Sequence, residues 1–372
     1  RNIFKNALAV GIPGTGEKGL RMAVALALVA GKSKYKLEVL KDARDEDVLK
    51  AKQIVNGNNI HVAIADNITG LYVEVKAVYK DDTSRVVIKD KHDNIVLVEK
   101  NGGEIYKNEN LSGDKLSTAG DIKKLTVRDI WEFVEKIDIN DLDLVVKGIE
   151  MNKKMAEAGI ASEYGKVFSE GKKVEEMDYK DYAKYLTSIA SYARMTGHPL
   201  PVMSCAGSGN HGLTAILPVV AVGEKKAVNE EKLIRGVALS LLITVYVKSY
   251  TGTLTPVCGC GVAAGVGASA GIVYIMGGSL EQVQGAIKNM IGTIAGIICD
   301  GGKPGCAFKL SIAAGAALES ALMALNDFVI SSYDGIVDET AEKSVANLGK
   351  VSTDGMVNTD ETILGVMLEK CP

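Results

Sequence analysis

From Ser249 to Leu280 the chain carries no charged residue. A run this long has to leave water along most of its length, in a bilayer or in a protein core. It contains Pro256, Cys258, Cys260 and a dense set of Gly and Ser, so its hydrophobicity is modest. Gly261 and Gly265, then Gly267 and Gly271, recur at one helical turn, a spacing that lets helices approach closely. The reading preferred is a tightly packed helical interior, with no membrane partner. The chain has 372 residues, 47% hydrophobic, which is enough for a sizeable core. Its net charge of −3 argues against a nucleic-acid or anionic-membrane surface. The six Cys do not form a secreted disulfide pattern and no signal peptide is visible, so a cytoplasmic location is expected.

Along the chain the pattern changes twice. Asn6–Val10 reads as a strand, followed by a Gly-rich turn and a helix to about Ala30. Residues 36–40 read as extended and Asp45–Val55 as a helix. His61–Ile64, Leu71–Tyr79, Arg85–Lys89 and Asn94–Glu99 alternate β-branched with polar residues between turn signals, as strands do. Residues 101–120 read as a polar linker. From 125 onward helical periodicity dominates. Thr126, Asn229 and the Ser279/Gln282 pair stand at helix starts, while 335–372 is polar and turn-rich until Ile363–Leu368. The fold class expected is α+β, a mainly helical catalytic domain with an inserted small β-rich subdomain. Its divisions are 1–55 (N-terminal part of the helical domain), 56–105 (β-rich subdomain) and 121–372 (Gly-rich helical domain).

Three motifs carry chemistry. Gly14-x-Gly16-x-x-Gly19 has dinucleotide-fold spacing, with Glu38 some twenty residues on, but repeated βα units do not follow it. Its turn can also cradle a carboxylate through Gly14, Thr15 and Gly16. Ser204-Cys-Ala-Gly-Ser-Gly-Asn-His-Gly212 sets small residues ahead of two hydrogen-bonding side chains, so Ser208, Asn210 and His211 are candidate substrate ligands. The bland alternative is a helix connection with a satisfied His. Cys205 is a weaker nucleophile candidate, because no His–Asp partner follows from spacing. Cys258-Gly-Cys260 and Cys299-x6-Cys306 lack the short rhythm of zinc ribbons and ferredoxins, so by spacing alone they are metal ligands or buried small residues. Cys371 reads as a tail thiol, or as a tail that reaches an open iron. His61 and His92 read as solvated or core residues, and His198 as a lesser site candidate.

These motifs together resemble the L-cysteine desulfidases and their relatives, which are similar to the α chain of iron–sulfur L-serine dehydratases. The resemblance covers nearly the whole chain. It rests on Ala9–Gly16, Lys91–Ile95, Ala206–Gly212, Cys258–Ala264, Met276–Gly278 and Cys299–Cys306. It implies an oxygen-sensitive [4Fe–4S] cluster with three cysteine ligands. Cys299 and Cys306 are the firm pair; Cys258 is favoured over Cys260 as the third. The family also carries an N-terminal Gly-Cys-Thr-Glu-Pro segment whose Cys is implicated in catalysis. The sequence here starts at Arg1 without it, so trimming is expected and the catalytic residue is left unassigned.

The activity implied is α,β-elimination from a small amino acid without pyridoxal phosphate. L-Cysteine would give pyruvate, ammonia and sulfide; L-serine would give pyruvate and ammonia. The open iron would act as a Lewis acid, with Ser208, Asn210 and His211 orienting the substrate. The alternatives are a catalytically degenerate amino-acid-binding protein of the same fold and a nucleotide-binding oxidoreductase. The oligomeric state stays open, a homodimer included.

Overall fold

The computed structural model describes residues 2–65, 68, 70–108, 118–252 and 254–370, with the side chains of 118 and 119 left out. Cys371 therefore lies outside the described residues. The chain is α+β and mostly helical, and it divides into two compact units.

The first unit holds residues 1–117, 301–303 and 360–372. It begins with α1 (Asn2–Ala7), α2 (Leu20–Ala30), a 3-10 turn at Ser33–Glu38 and α3 (Asp45–Asn56). The strand expected at Asn6–Val10 is instead the end of α1 and an irregular stretch; its Ala and Leu favour helix over strand. The extended piece expected at 36–40 is largely the 3-10 turn. Met22, Ala25 and Leu26 recur at helical spacing on α2 and bury against Val48 and Ala51 of α3, with Ile12 and Ile60 closing a small core.

An antiparallel meander follows, in the order β1 (Tyr72–Tyr79), β2 (Asp82–Lys89), β3 (Ile95–Lys100) and β4 (Gly103–Lys107). His61–Ile64 is not a strand. β4 falls where a linker was expected, and Asn101-Gly102 explains it. Lys100 pairs with Gly103, and the two residues between them have φ of 52° and 78°. Positive φ at both positions is what a two-residue hairpin turn demands and what Asn-Gly supplies. Arg85 on β2 ties the sheet by ion pairs to Glu74 on β1 and Glu99 on β3. Residues 1–55, expected with the helical part, group with this sheet.

The second unit, residues 118–300 and 304–359, is helical throughout. Its helices are α4 (Thr118–Ile122), α5 (Val127–Lys136), α6 (Asp143–Ile160), α7 (Glu163–Phe168), α8 (Tyr179–Met195), α9 (Gly209–Lys225), α10 (Glu230–Thr251), α11 (Ala263–Ile275), α12 (Leu280–Ile294), α13 (Cys306–Leu325) and α14 (Ala341–Lys350). α15 (Thr359–Glu369) lies at the C-terminus, so 335–372 is more helical than its composition suggests. Local chemistry sets several starts. Thr126 accepts from the Asp129 N–H in a capping box, Asn229 accepts from the Lys232 N–H, and Ser279 with Gln282 forms the expected box.

α11 lies at the centre, with every residue buried. Its stripe of small residues explains how α10 comes so close. A Cβ on Gly267 would sit 2.1 Å from Thr244 Oγ1 and 2.3 Å from the Ser240 carbonyl, both on α10. The uncharged run from Ser249 to Leu280 is therefore the end of α10, a turn and α11, rather than one continuous span. α10 and α13 are long and apolar enough to cross a membrane, but 61% and 50% of their apolar windows are buried inside the fold.

Candidate functional site

The site grows from two loop systems at the ends of buried helices in the second unit. In the first, Cys205 and Ser208 exchange backbone hydrogen bonds of 3.1 Å across a two-residue turn. Ala206 and Gly207 both have positive φ, 47° and 79°. This tight reversal feeds straight into α9. Ser208 stands at the helix start, yet its side chain does not cap; its Oγ lies 3.9 Å from Cys260 Sγ. Asn210 Oδ1 accepts from Arg194 Nη1 at 3.0 Å. A Cβ on Gly209 would lie 2.5 Å from Arg194 Nε, so the guanidinium rests directly on that glycine.

His211 is buried, and its Nδ1 donates to the Cys205 carbonyl at 3.1 Å. That bond fixes the tautomer and leaves Nε2 as an acceptor. Burial, then the Lys248 ammonium and the Arg194 guanidinium, hold the imidazole down to about 3 against the opposing pull of the carbonyl. Nε2 faces the cysteine turn, because a Cβ on Gly259 would lie 2.4 Å from it and 3.2 Å from Lys248 Nζ.

The second system stitches two cysteine segments side by side. The Cys258 N–H donates to the Ile297 carbonyl at 2.8 Å, and the Cys299 N–H donates to the Pro256 carbonyl at 2.6 Å. Cys260 follows in the turn before α11, and Cys306 opens α13. A hydrogen bond from the Cys260 thiol favours the Cys258 thiolate, drawing Cys258 down to about 6 while the same pair drives Cys260 up. Cys260 is acted on electrostatically by Cys258, Cys306 and Cys299.

Three cations belong to the same locus. Lys248 of α10 is 6% exposed; burial lowers it, while Cys260, Cys299 and Cys258 pull it back up. Arg194 of α8 is lowered by burial and raised by Cys260 and Cys306. Lys309 of α13 donates to the Ile298 carbonyl at 2.9 Å and pairs with Asp300, pinning the start of the Cys299 loop to the helix that begins at Cys306. The sequence reading missed all three. The visible signal was a lone cation in an apolar helix, most plainly Lys248 after Ile243-Thr-Val-Tyr-Val247.

The structure thus brings Ser208, Asn210 and His211 together with Cys258, Cys260, Cys299 and Cys306. Gly14, Thr15 and Gly16 belong to the first unit. Gly14 and Gly16 take φ of 74° and 68°, and Thr15 closes its own turn, its N–H and Oγ1 both donating to the Ile12 carbonyl. The run ahead of this turn is helical and the sheet after it is an antiparallel meander, so the dinucleotide fingerprint lacks its βαβ context. Cys205 is buried and pushed up to about 12 by that burial, which makes it an inert thiol and not a nucleophile. His61 and His92 are exposed in the sheet unit. Among the described residues, no three His, Cys, Asp or Glu side chains gather tightly enough to hold a single metal ion.

Fold and site define a class: an α+β chain whose helical unit holds several thiols and several cations around a glycine-rich helix start. The chain belongs to the serine dehydratase α-chain family, whose pattern it matches over residues 34–365. It is 54% identical over 372 residues to a UPF0597 protein of Clostridium tetani, covering 100% of this chain and 88% of the relative. It is 48% identical to one of Caldanaerobacter subterraneus subsp. tengcongensis, with coverage of 100% and 88%, and 43% identical to one of Clostridioides difficile, with coverage of 98% and 88%. Membership of this family supports a lyase-like role.

Proposed function

We propose that this protein is an iron–sulfur lyase that eliminates the β-substituent of a small L-amino acid, L-cysteine or L-serine, to give pyruvate and ammonia. The observation that carries the reading is the convergence of four thiols and three cations beside the start of α9. Thiolates are the donors that iron–sulfur clusters take. Buried Lys248, with part-buried Arg194 and Lys309, suits an anionic thiolate assembly, since these cations offset charge that burial would otherwise disfavour.

Cys258, Cys299 and Cys306 would hold a [4Fe–4S] cluster, with Cys260 beside Cys258 as the alternative ligand. When bound, such a cluster supplies a Lewis acid that stabilises negative charge developing on the leaving group. The chain's own residues bind and orient the amino acid. Ser208, whose hydroxyl is not spent on capping, offers a hydrogen bond at the thiol edge. Asn210 is held by Arg194. His211, locked by the Cys205 carbonyl, presents a fixed Nε2 acceptor. Cys205, Cys258 and Cys260 are free thiols, which supports a reducing cytoplasmic setting.

Anaerobic reconstitution of the full-length gene product with iron and sulfide tests this. The expected result is a brown protein with visible iron–sulfur absorbance, and loss of bound iron in Cys299→Ser and Cys306→Ser. Turnover of cysteine and serine, assayed side by side, then fixes the substrate. Wild-type protein that takes up no iron overturns the proposal.

A further inference from the structure

Arg194 is a part-buried cation on α8. Among the described residues no carboxylate pairs with it. Its contacts are Asn210 Oδ1 at 3.0 Å and Met195 Sδ at 3.2 Å, both made by Nη1. A guanidinium largely withdrawn from water is costly when no carboxylate offsets it, which leaves room for a ligand that brings one. Gly209 gives it room where any larger residue would strike Nε and Cζ, at 2.5 and 2.8 Å. Asn210 fixes the rotation of the guanidinium plane through Nη1. Nε and Nη2 remain as a fork, the geometry that matches a carboxylate with two parallel hydrogen bonds. The charges it faces are Cys260 and Cys306, so the fork belongs to the thiol locus.

We infer that Arg194 receives the α-carboxylate of the substrate, oriented by Asn210, and that this contact selects amino acids over amines of the same shape. The inference rests on the lyase reading for which amino acid is bound; carboxylate recognition itself needs no turnover. The competing role is purely structural, with Arg194 as a counter-charge to the cysteines.

L-Alanine and L-alaninamide separate these roles, because neither carries a β-leaving group and they differ only at the carboxylate. Calorimetry on the full-length protein, both cluster-free and reconstituted, is expected to show L-alanine bound about 100-fold tighter than the amide, the scale of a charge-assisted contact. Arg194→Gln should abolish the difference while retaining iron and its visible spectrum, because Lys248 and Lys309 still offset the thiolate charge. Arg194→Lys should retain a small part of it. Asn210→Asp keeps the cation paired and guards against misfolding. It should fold at least as stably as wild type and lose L-alanine affinity, since its own carboxylate at Nη1 already neutralises the guanidinium.

Equal binding of the two probes by wild type overturns the inference, as does undiminished discrimination in Arg194→Gln or loss of the cluster in that variant. A wild-type protein that discriminates the probes but takes up no iron overturns the lyase reading alone.

Discussion

Cys205 and Cys258 are both buried thiols, and their surroundings drive them in opposite directions. The Cys205 thiol reaches the Leu241 carbonyl at 3.7 Å, and burial raises it to about 12. Cys258 gains a donor in Cys260, which brings it down to about 6. The same residue type is therefore inert at one end of the site and thiolate-forming at the other. The raised group has a pH consequence. In the unfolded chain Cys205 ionises near its ordinary value of 9.0; in the folded protein it holds its proton to about 12. Between those values the folded state binds more protons, so this residue's contribution to stability is complete below pH 9 and is lost as pH rises toward 12. Iodoacetamide at pH 8 should accordingly leave Cys205 unmodified in the native protein, and label it after urea unfolding, as read by peptide mass spectrometry. Rapid native labelling of Cys205 would contradict the buried placement.

At the scale of elements, the contact between α10 and α11 depends on glycine as a spacer. Gly267→Val would press a branched side chain against Thr244 Oγ1 and the Ser240 carbonyl, and a backbone carbonyl cannot swing aside. The expected loss is about 3 kcal/mol, the upper part of the overpacking range, measured as a lower urea midpoint at unchanged slope. A midpoint within experimental error of wild type would refute the close packing. The glycine pattern of this pair was legible in the sequence, as were the caps at Thr126, Asn229 and Ser279, because a cap is decided by residues three apart. β4 was legible too, in Asn101-Gly102, but it was read as a linker because the residues after it are polar. Asn6–Val10 misled because a short apolar run does not distinguish strand from helix. Arg194, Lys248 and Lys309 were legible at most as single cations, Lys248 in an apolar helix, and their gathering was not. These residues lie on α8, α10 and α13, and only tertiary packing brings them to the thiols that the cysteine motifs had already marked.

Across the whole molecule, burial is distributed very unevenly between the two units. The helical unit encloses α11 completely and buries α9 from Gly209 to Gly223. The sheet unit leaves every residue of β4 exposed and most of β1 open. Amide hydrogens in a fully enclosed helix exchange only when the unit unfolds, whereas an exposed edge strand opens locally at little cost. Native-state hydrogen exchange should therefore find α11 and the middle of α9 protected to the global stability, and β4 exchanged orders of magnitude sooner. The cysteine segments are predicted to lie between these limits. Their backbone bonds at Cys258 and Cys299 join two loops rather than extend a helix or sheet, and Lys309 adds a bond to the Ile298 carbonyl, so fewer bonds oppose their local opening in the cluster-free protein than oppose that of α11. Reconstitution with iron and sulfide should move protection at residues 256–262 and 297–299 toward that of α11, because opening would then require release of thiolate ligands. Exchange at those residues that is unchanged by reconstitution, in a protein that has demonstrably taken up iron, would place the metal elsewhere and remove the thiol locus from the mechanism.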